Sequence, residues 1–433
     1  MEQIEQSVAP EQQQGQRDVI TVVLTADNHL GYTAFGQHPR KREERQHRLR
    51  QAFQRATDFA IAQNVDLFIQ AGDLFDTTTP DERDRSFVAE RLAQLKQAGT
   101  RAFALGGVHD TPSATQSLLG ESILAPQMSY ARLGALHYLP TAQRYGPSGL
   151  TPLLLDVHTL RIGLCGVGVL ADQEGDPLAQ LRVQDDLERA EFSILVLHAP
   201  IEGLTSGRSL LETRALVHRS TIAQQSAFRY ILAGYHHGYS RFSLGQTDVI
   251  VAGATQHVDF SAPDQDPGFV FLGLAADGIR WCQHITVDSL RLHRLVIHTG
   301  ELWPVNQPEE EKASPTEAIL ERLHPLCEAD TMVQLRLEGE LTRWHYHQLD
   351  LNQIRRYGEE HCAALAIDDS ALVLQPTQEV ISAEIGERLS PREELVALAN
   401  EWIAAASDER EKRALQATKE ELLLAMDGDN RKM

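Results

Sequence analysis

Five short polar runs in this 433-residue chain each follow directly on an apolar stretch of β character, and that recurrence restricts the fold more than any other feature. The runs are Asp27-Asn28-His29, Gly72-Asp73-Leu74-Phe75-Asp76, Gly107-Val108-His109-Asp110, Leu197-His198-Ala199 and Gly234-Tyr235-His236-His237. The apolar stretches they close, at 20–26, 65–71, 101–107, 192–198 and 230–235, read as buried strands. Helical stretches at about 41–63 and 81–98 separate the first three, the second ended by Gly99. Strand and helix in alternation predict α/β layers, in which ligands collect beyond the carboxyl ends of the strands. Later strand-like runs at 151–156, 160–168, 248–252, 269–274 and 279–287 have short polar connections and suggest antiparallel or mixed pairing. Two packed mixed sheets flanked by helices are therefore expected over residues 19–288.

The polar runs carry metal chemistry. An Asp and a His one residue apart, as Asp27 and His29 are, can turn toward one ion where the chain leaves strand geometry, and carboxylate with imidazole suits Mn, Fe or Zn. Asp73 follows another strand, where a carboxylate could bridge two ions about 3.5–4 Å apart. One D-x-H is more often a surface turn. Five clusters at five strand ends are not random scatter of 18 histidines. His47, His158, His218, His257 and His293 lack partner spacing and read as surface or core residues, and so does the pair His345 and His347.

These residues resemble the calcineurin-like metallophosphoesterases, and within them the SbcD-type exonuclease subunits that work with an SbcC-type, SMC-like ATPase. DNHLGYTAFG (27–36), VDLFIQAGDLFDTTTPD (65–81) and AGATQHVDF followed by GFVFLGL (252–274) carry the likeness, which covers about 19–288. It implies a sandwich of two mixed sheets, a small α+β capping domain and C-terminal helices. By the same resemblance one metal falls to Asp27, His29, Asp73 and His237, all present, with Asp76 behind them at one remove. The other metal of the family takes the bridging Asp, an Asn, a lone His and the first His of G-H-x-H, which here are Asp73, Val108, His198 and Tyr235. Val108 has no donor atom, and a phenol titrating near about 10 is a poor ligand for a divalent ion. His236 could replace Tyr235 only through a local bulge, because neighbours in an extended segment face opposite ways, and it otherwise sits behind the ligands. His109 matches the catalytic His that protonates the leaving oxygen, with Asp110 expected to orient its ring. One firmly held ion of Mn type is expected, with the second weak or absent.

Two readings follow. In one, the chain is a metal-dependent DNA phosphodiesterase, exonuclease or endonuclease, acting on DNA ends beside the ATPase with reduced or altered activity. In the other it is a catalytically degenerate, DNA-gripping subunit of the same complex. The net charge of −21 opposes unaided binding of a polyanion, and residues 301–433 carry 28 acidic against 14 basic side chains. The stretch 40–55 is the best local basic patch, but it reads equally as an amphipathic helix with Leu49, Phe53 and Ala56 inward.

Residues 1–18 are polar, without an apolar signal core, and read as a flexible tail. No apolar run is long enough to span a bilayer, so neither membrane nor secretion is expected. The scattered Cys165, Cys282, Cys327 and Cys362 suit free thiols in a reducing cytoplasm. A capping domain is expected over 289–380, with strands at 290–298, 331–339 and 371–375 and helices at about 315–328 and 346–362. A helical pair over 385–428, opened by Ser390-Pro391, is the expected contact for the ATPase, ahead of a short tail at 429–433. A homodimer is compatible with this organisation.

Overall fold

Alternate side chains of the first strand enter opposite layers, and this period of two builds the core. The computed structural model describes residues 18–33, 39–112, 124–139, 150–171, 173–179, 181–183, 185–204, 213–262, 265–303, 314–342, 345–346, 348–375 and isolated positions between 396 and 419. Its elements in chain order begin β1 (Ile20–Thr25), α1 (Pro39–Ala62), β2 (Leu67–Ala71), α2 (Glu82–Gln97), β3 (Arg101–Leu105), α3 (Gln127–Arg132) and β4 (His137–Leu139). Next come β5 (Leu153–Val157), β6 (Leu160–Gly168), β7 (Glu174–Gly175), β8 (Phe192–His198), β9 (Arg214–Ala215), α4 (Arg219–Gln224), β10 (Tyr230–Gly234), β11 (Ser240–Leu244) and β12 (Thr247–Val251). The rest are β13 (Gly268–Ala275), β14 (Gly278–Thr286), β15 (Arg291–His298), α5 (Thr299–Leu302), α6 (Pro315–Leu323), β16 (Thr331–Thr342), α7 (Leu351–His361) and β17 (Ala364–Gln375).

Two six-stranded sheets result, ordered β14-β13-β1-β2-β3-β4 and β11-β12-β10-β8-β6-β5. In the first, β1 to β4 run parallel and β13 and β14 antiparallel, while in the second β6, β8, β10 and β12 run parallel between antiparallel edges. The sandwich of mixed sheets expected from the sequence is present. Val22 and Leu24 meet Ile194, Val196 and Leu232 between the sheets. Val23, on the other face of β1, packs with Phe53 of α1 and Leu92 of α2. Each such fully buried aliphatic side chain contributes roughly 1.5–3 kcal/mol. The short strands β4 and β11 and the helices α3 and α4 escaped the sequence reading, being too short for a periodic signal.

A third sheet, β15-β16-β17, carries α6 and α7. The last of these strands is longer than expected, and α7 starts later, at Leu351. The chain divides into two compact units, 1–340 with 348–373, and 341–347 with 374–433. The expected helical pair over 385–428 and the tails at 1–17 and 429–433 lie outside the described residues, apart from isolated helical positions. No helix among the described residues is long and apolar enough to cross a membrane.

One expectation needs correction, and one alternative is decided. Cys327 and Cys362 form a disulfide with Cα atoms 4.8 Å apart, so the four cysteines are not all free thiols. A separation of 35 residues gives no sign of this. The pair meets because the turn after α6 and the C-cap of α7 both flank the start of β16, where Ala363 N–H donates to Thr331 O at 2.8 Å. The basic stretch is the amphipathic α1, with Leu49, Phe53 and Ala56 inward. Several of its cations are spent inside the protein. Arg50 pairs with the fully buried Asp84 at 2.7 Å, the Arg45 guanidinium binds the His257 carbonyl, and Lys41 binds the Glu359 and Cys362 carbonyls.

Candidate metal centre

All five polar runs leave the carboxyl ends of parallel strands and converge where the two sheets meet. Beyond β1 and β2 the first two runs continue side by side, with Asp27 N–H donating to Gly72 O at 3.0 Å and His29 N–H to Asp73 O at 3.1 Å. Tyr235 N–H crosses between the sheets and donates to both Asp27 carboxylate oxygens, at 3.2 and 3.0 Å. This geometry bends the chain sharply. Asp27, His29, Asp73 and Tyr235 have φ of 47, 44, 52 and 80°, and among the described non-glycine residues only Asn64 and His158 share a positive value. Such backbone costs of order 1–3 kcal/mol per residue, so it persists only where surrounding contacts over-determine it. Glycine supplies the room: a Cβ on Gly72 would lie 2.1 Å from His198 Nδ1, and one on Gly107 2.2 Å from Asp73 Oδ1.

The histidines are aimed by what stands behind them. His29 Nδ1 lies 3.0 Å from Asp76 Oδ1, His198 Nδ1 lies 2.8 Å from the Ala71 carbonyl, and His237 Nδ1 lies 3.0 Å from Asp259 Oδ2. Hydrogen bonds at Nδ1 of His29 and His198, and the ion-pair contact of His237 Nδ1 with Asp259, leave each Nε2 as the donor atom for an ion. The Nε2 atoms of His29 and His198 are buried without a hydrogen-bond partner among the described residues. Asp73 Oδ2 stands between them, 3.9 Å from His29 Nε2 and 3.2 Å from His198 Nε2, where a bridging carboxylate belongs. Asp27, His29 and His237 offer ligand atoms within 4.8 Å of one another, and so do Asp27, Asp73 and His198. Orphaned imidazole nitrogens beside carboxylates are the donor set of a borderline divalent cation. The residues fit such an ion.

Two positions differ. Val108 packs against the apolar cluster that covers the outer face of the second sheet, with Leu195, Leu197 and Ala199 in it. Tyr235 is buried, its ring 5.5 Å from that of His198. His236 Nε2 accepts the Ile201 N–H at 2.9 Å, so this nitrogen supports the loop after β8. Burial, with His237 and His198 nearby, pushes the His236 imidazole down to about 3, which keeps it the neutral acceptor that this bond needs.

His109 sits at the mouth, with 34% of its side chain exposed and its N–H donating to Asp73 Oδ1 at 2.9 Å. The expectation that Asp110 orients its ring is corrected by the structure. Both Asp110 oxygens are occupied elsewhere, by Gly107 N–H at 2.8 Å, by Phe75 N–H at 3.1 Å and by the Gln127 amide, and the carboxylate facing His109 Nδ1 is Asp76 at 3.7 Å. Gly107 N–H lies three residues before Asp110, so that carboxylate closes its own turn. Asp76 thus faces two imidazoles, and with His29 and His109 it forms a third group of close ligand atoms.

Burial would raise the Asp73 carboxyl, but the imidazoles of His198, His109 and His29 outweigh it and hold the group well below the usual carboxylate range. Burial likewise opposes the charge on His198, yet Asp73 lifts that imidazole to about 9. Asp27 goes the other way, raised by burial more than its imidazoles lower it, and Asp110 rises to about 6 through burial and the neighbouring Asp73. Carboxylates and imidazoles in this nest balance one another's charge.

Sequence reasoning missed Asp259, which stands behind His237 on the loop from β12 to β13. Its only signal was the run AGATQHVDF, which carries no spacing rule of its own.

A model of the calcineurin-like phosphoesterases matches residues 20–239. Curated relatives named DNA double-strand break repair protein Mre11 are 32% identical over 99 residues in Methanosarcina mazei, covering 23% of this chain and 15% of that protein. In Saccharolobus solfataricus the identity is 30% over 107 residues, covering 25% of this chain and 27% of that protein. The similarity thus spans about a quarter or less of the length of these relatives. Among solved structures, a dimetal phosphatase from Danio rerio aligns with a TM-score of 0.35 at 12% identity, covering 62% of this chain and 99% of that chain.

Proposed function

The chain belongs to the calcineurin-like phosphoesterase family, and from that membership we propose that it is a metal-dependent DNA phosphodiesterase built around one firmly held divalent ion of Mn type. The observation that carries this reading is the close group of Asp27, His29 and His237 beside Asp73, against Val108 in an apolar cluster and Tyr235 on the ring of His198. The ion would be held by Asp27, His29, Asp73 and His237, and would supply Lewis-acid polarisation of a phosphoryl oxygen. His109 is the most exposed imidazole of the group and is placed to give a proton to the departing oxygen. Asp76 Oδ1, bonded to His29, faces its Nδ1 at 3.7 Å and would favour the charged imidazole there. Asp110, by contrast, holds the turn from which His109 projects.

DNA as substrate is suggested by the relatives' printed name, double-strand break repair protein. With a net charge of −21 and several cations of α1 turned inward, DNA would need help from a partner. An SbcC-type, SMC-like ATPase bound through 385–428 would provide it, with residues 289–380 as the cap over the site and two chains in a homodimer. The apolar packing of Val108 also favours a second reading, in which the same complex uses this chain as a non-catalytic DNA-gripping subunit.

One comparison separates them: wild type, Asp73→Ala, and Val108→Asn with Tyr235→His, on linear DNA with Mn present. The enzyme reading expects wild-type cleavage that Asp73→Ala removes, a loss beyond the roughly 10–100-fold that even outer-shell changes cost. Cleavage only by the double variant would establish the non-catalytic reading, and identical residual cleavage by all three would overturn the site.

A further inference from the structure

The loop joining β12 to β13 does more than connect two strands. Ala254 N–H donates to the His237 carbonyl at 2.9 Å, and the Thr255 hydroxyl accepts from the Asn28 amide at 3.2 Å, so the loop starts attached to two of the five runs. Further along, the Arg45 guanidinium of α1 binds the His257 carbonyl, and Arg294 of β15 donates to the Phe260 carbonyl at 2.8 Å. Phe260 itself is buried with Leu290, Met332 and Ala364 beneath the three-stranded sheet. Between these two guanidinium anchors stands Asp259.

Its carboxylate is divided between two tasks. Ser261 donates to Oδ1 twice, from its N–H at 2.8 Å and its hydroxyl at 2.6 Å, which fixes the plane of the group. Oδ2 lies 3.0 Å from His237 Nδ1, an ion-pair contact. A carboxylate behind an imidazole selects the tautomer with the proton on Nδ1, turns the Nε2 lone pair forward and raises its basicity. We propose that Asp259 is a positioning residue for His237, held in place by Ser261 and by the Arg45 and Arg294 anchors of its loop, and that it sets the affinity of the complete half of the centre for its divalent ion. This inference rests on the reading of Asp27, His29, Asp73 and His237 as ligands.

Mn binding to the full-length protein, followed by the electron paramagnetic resonance signal of the free ion, tests it. Wild type, Asp259→Ala, Asp259→Asn and His237→Ala are compared, together with the ion-free melting temperature of each. The alanine variant is expected to bind Mn about 10–100-fold more weakly than wild type. The asparagine variant, which keeps an acceptor oxygen without the charge, should recover part of that loss. Wild-type affinity in Asp259→Ala would overturn the inference. So would a loss in both Asp259 variants that appears only where the ion-free fold has also been lost. Failure of the unaltered protein to bind Mn would overturn the ligand reading beneath it, a result visible without any Asp259 variant.

Discussion

Beside Asp73, Asp27 groups with His29 and His237, both histidines having a carboxylate behind the ring; it also groups with His198, which has the Ala71 backbone carbonyl behind its ring and Tyr235 against it, while Val108 lies in an apolar cluster. Both groups are built on the same kind of strand end, and both are fully packed. The difference shows that the shape of such a centre and its ligand set are separable properties. Val108 joins an apolar cluster and Tyr235 places its backbone N–H on Asp27, so both positions serve the packing of the strand ends. Packing conserves the frame; donor chemistry decides what it can hold.

The most direct way to break this comparison is to restore the missing donors. Val108→Asn with Tyr235→His is expected to raise bound Mn from about one to about two ions per chain, measured by metal analysis after equilibrium dialysis. The ion-free double variant should melt lower than wild type, because an unpaired amide in an apolar cluster costs roughly 1–3 kcal/mol, and Mn should recover that loss. Two tightly bound ions already present in wild type would erase the distinction between the groups.

A second way attacks the frame that both groups share. Gly72 has φ +96°, and a Cβ there would meet His198 Nδ1 at 2.1 Å and Cγ at 2.3 Å. Gly72→Ala combines left-handed backbone, about 1–2 kcal/mol, with overpacking of about 1–3 kcal/mol, so a loss of roughly 2–5 kcal/mol is expected in urea unfolding. A loss under about 1 kcal/mol would mean that the His198 side has slack, and that the two groups differ in packing as well as in ligands.

Much of this was readable in advance because it follows the chain. The strand-end runs, the α/β alternation and the departures at Val108 and Tyr235 are local patterns with fixed meaning, and the sandwich they indicate is the one found. What stayed hidden depends on contacts between distant segments. Asp110 sits next to His109 in sequence, which made it the natural orienting group, yet its side chain turns back to Gly107, and the carboxylate that faces the ring, at 3.7 Å, is Asp76 of the run after β2. Asp259 comes 22 residues after His237, on a loop with no period, and only the fold brings it behind that ring. The charges of Arg45 and Arg50 were legible, but whether a helical cation faces water or a buried partner is decided by what packs on the helix.

The smallest expected effect concerns the same loop and its sensitivity to acid. Burial pushes the His257 imidazole down to about 4, and Arg45, whose guanidinium binds the carbonyl of this residue, adds to the shift. The ordinary value is 6.5, so between pH 6.5 and 4 the unfolded chain takes up a proton that the folded chain refuses. His257 therefore contributes nothing to the pH slope above about 6.5, costs stability progressively as pH falls toward 4, and adds no further slope below that. The shift bounds the loss at about 3 kcal/mol, with solvent screening reducing it. His257→Gln should flatten the stability curve over that window, measured by urea unfolding at several pH values, while leaving stability near pH 7.5 little changed. Since Asp259 lies two residues further along, loosening of this loop in acid would reach His237 before His198. Mn affinity should then fall with pH more steeply in wild type than in His257→Gln, and equal pH profiles in the two proteins would place the acid sensitivity of the centre in its ligands alone.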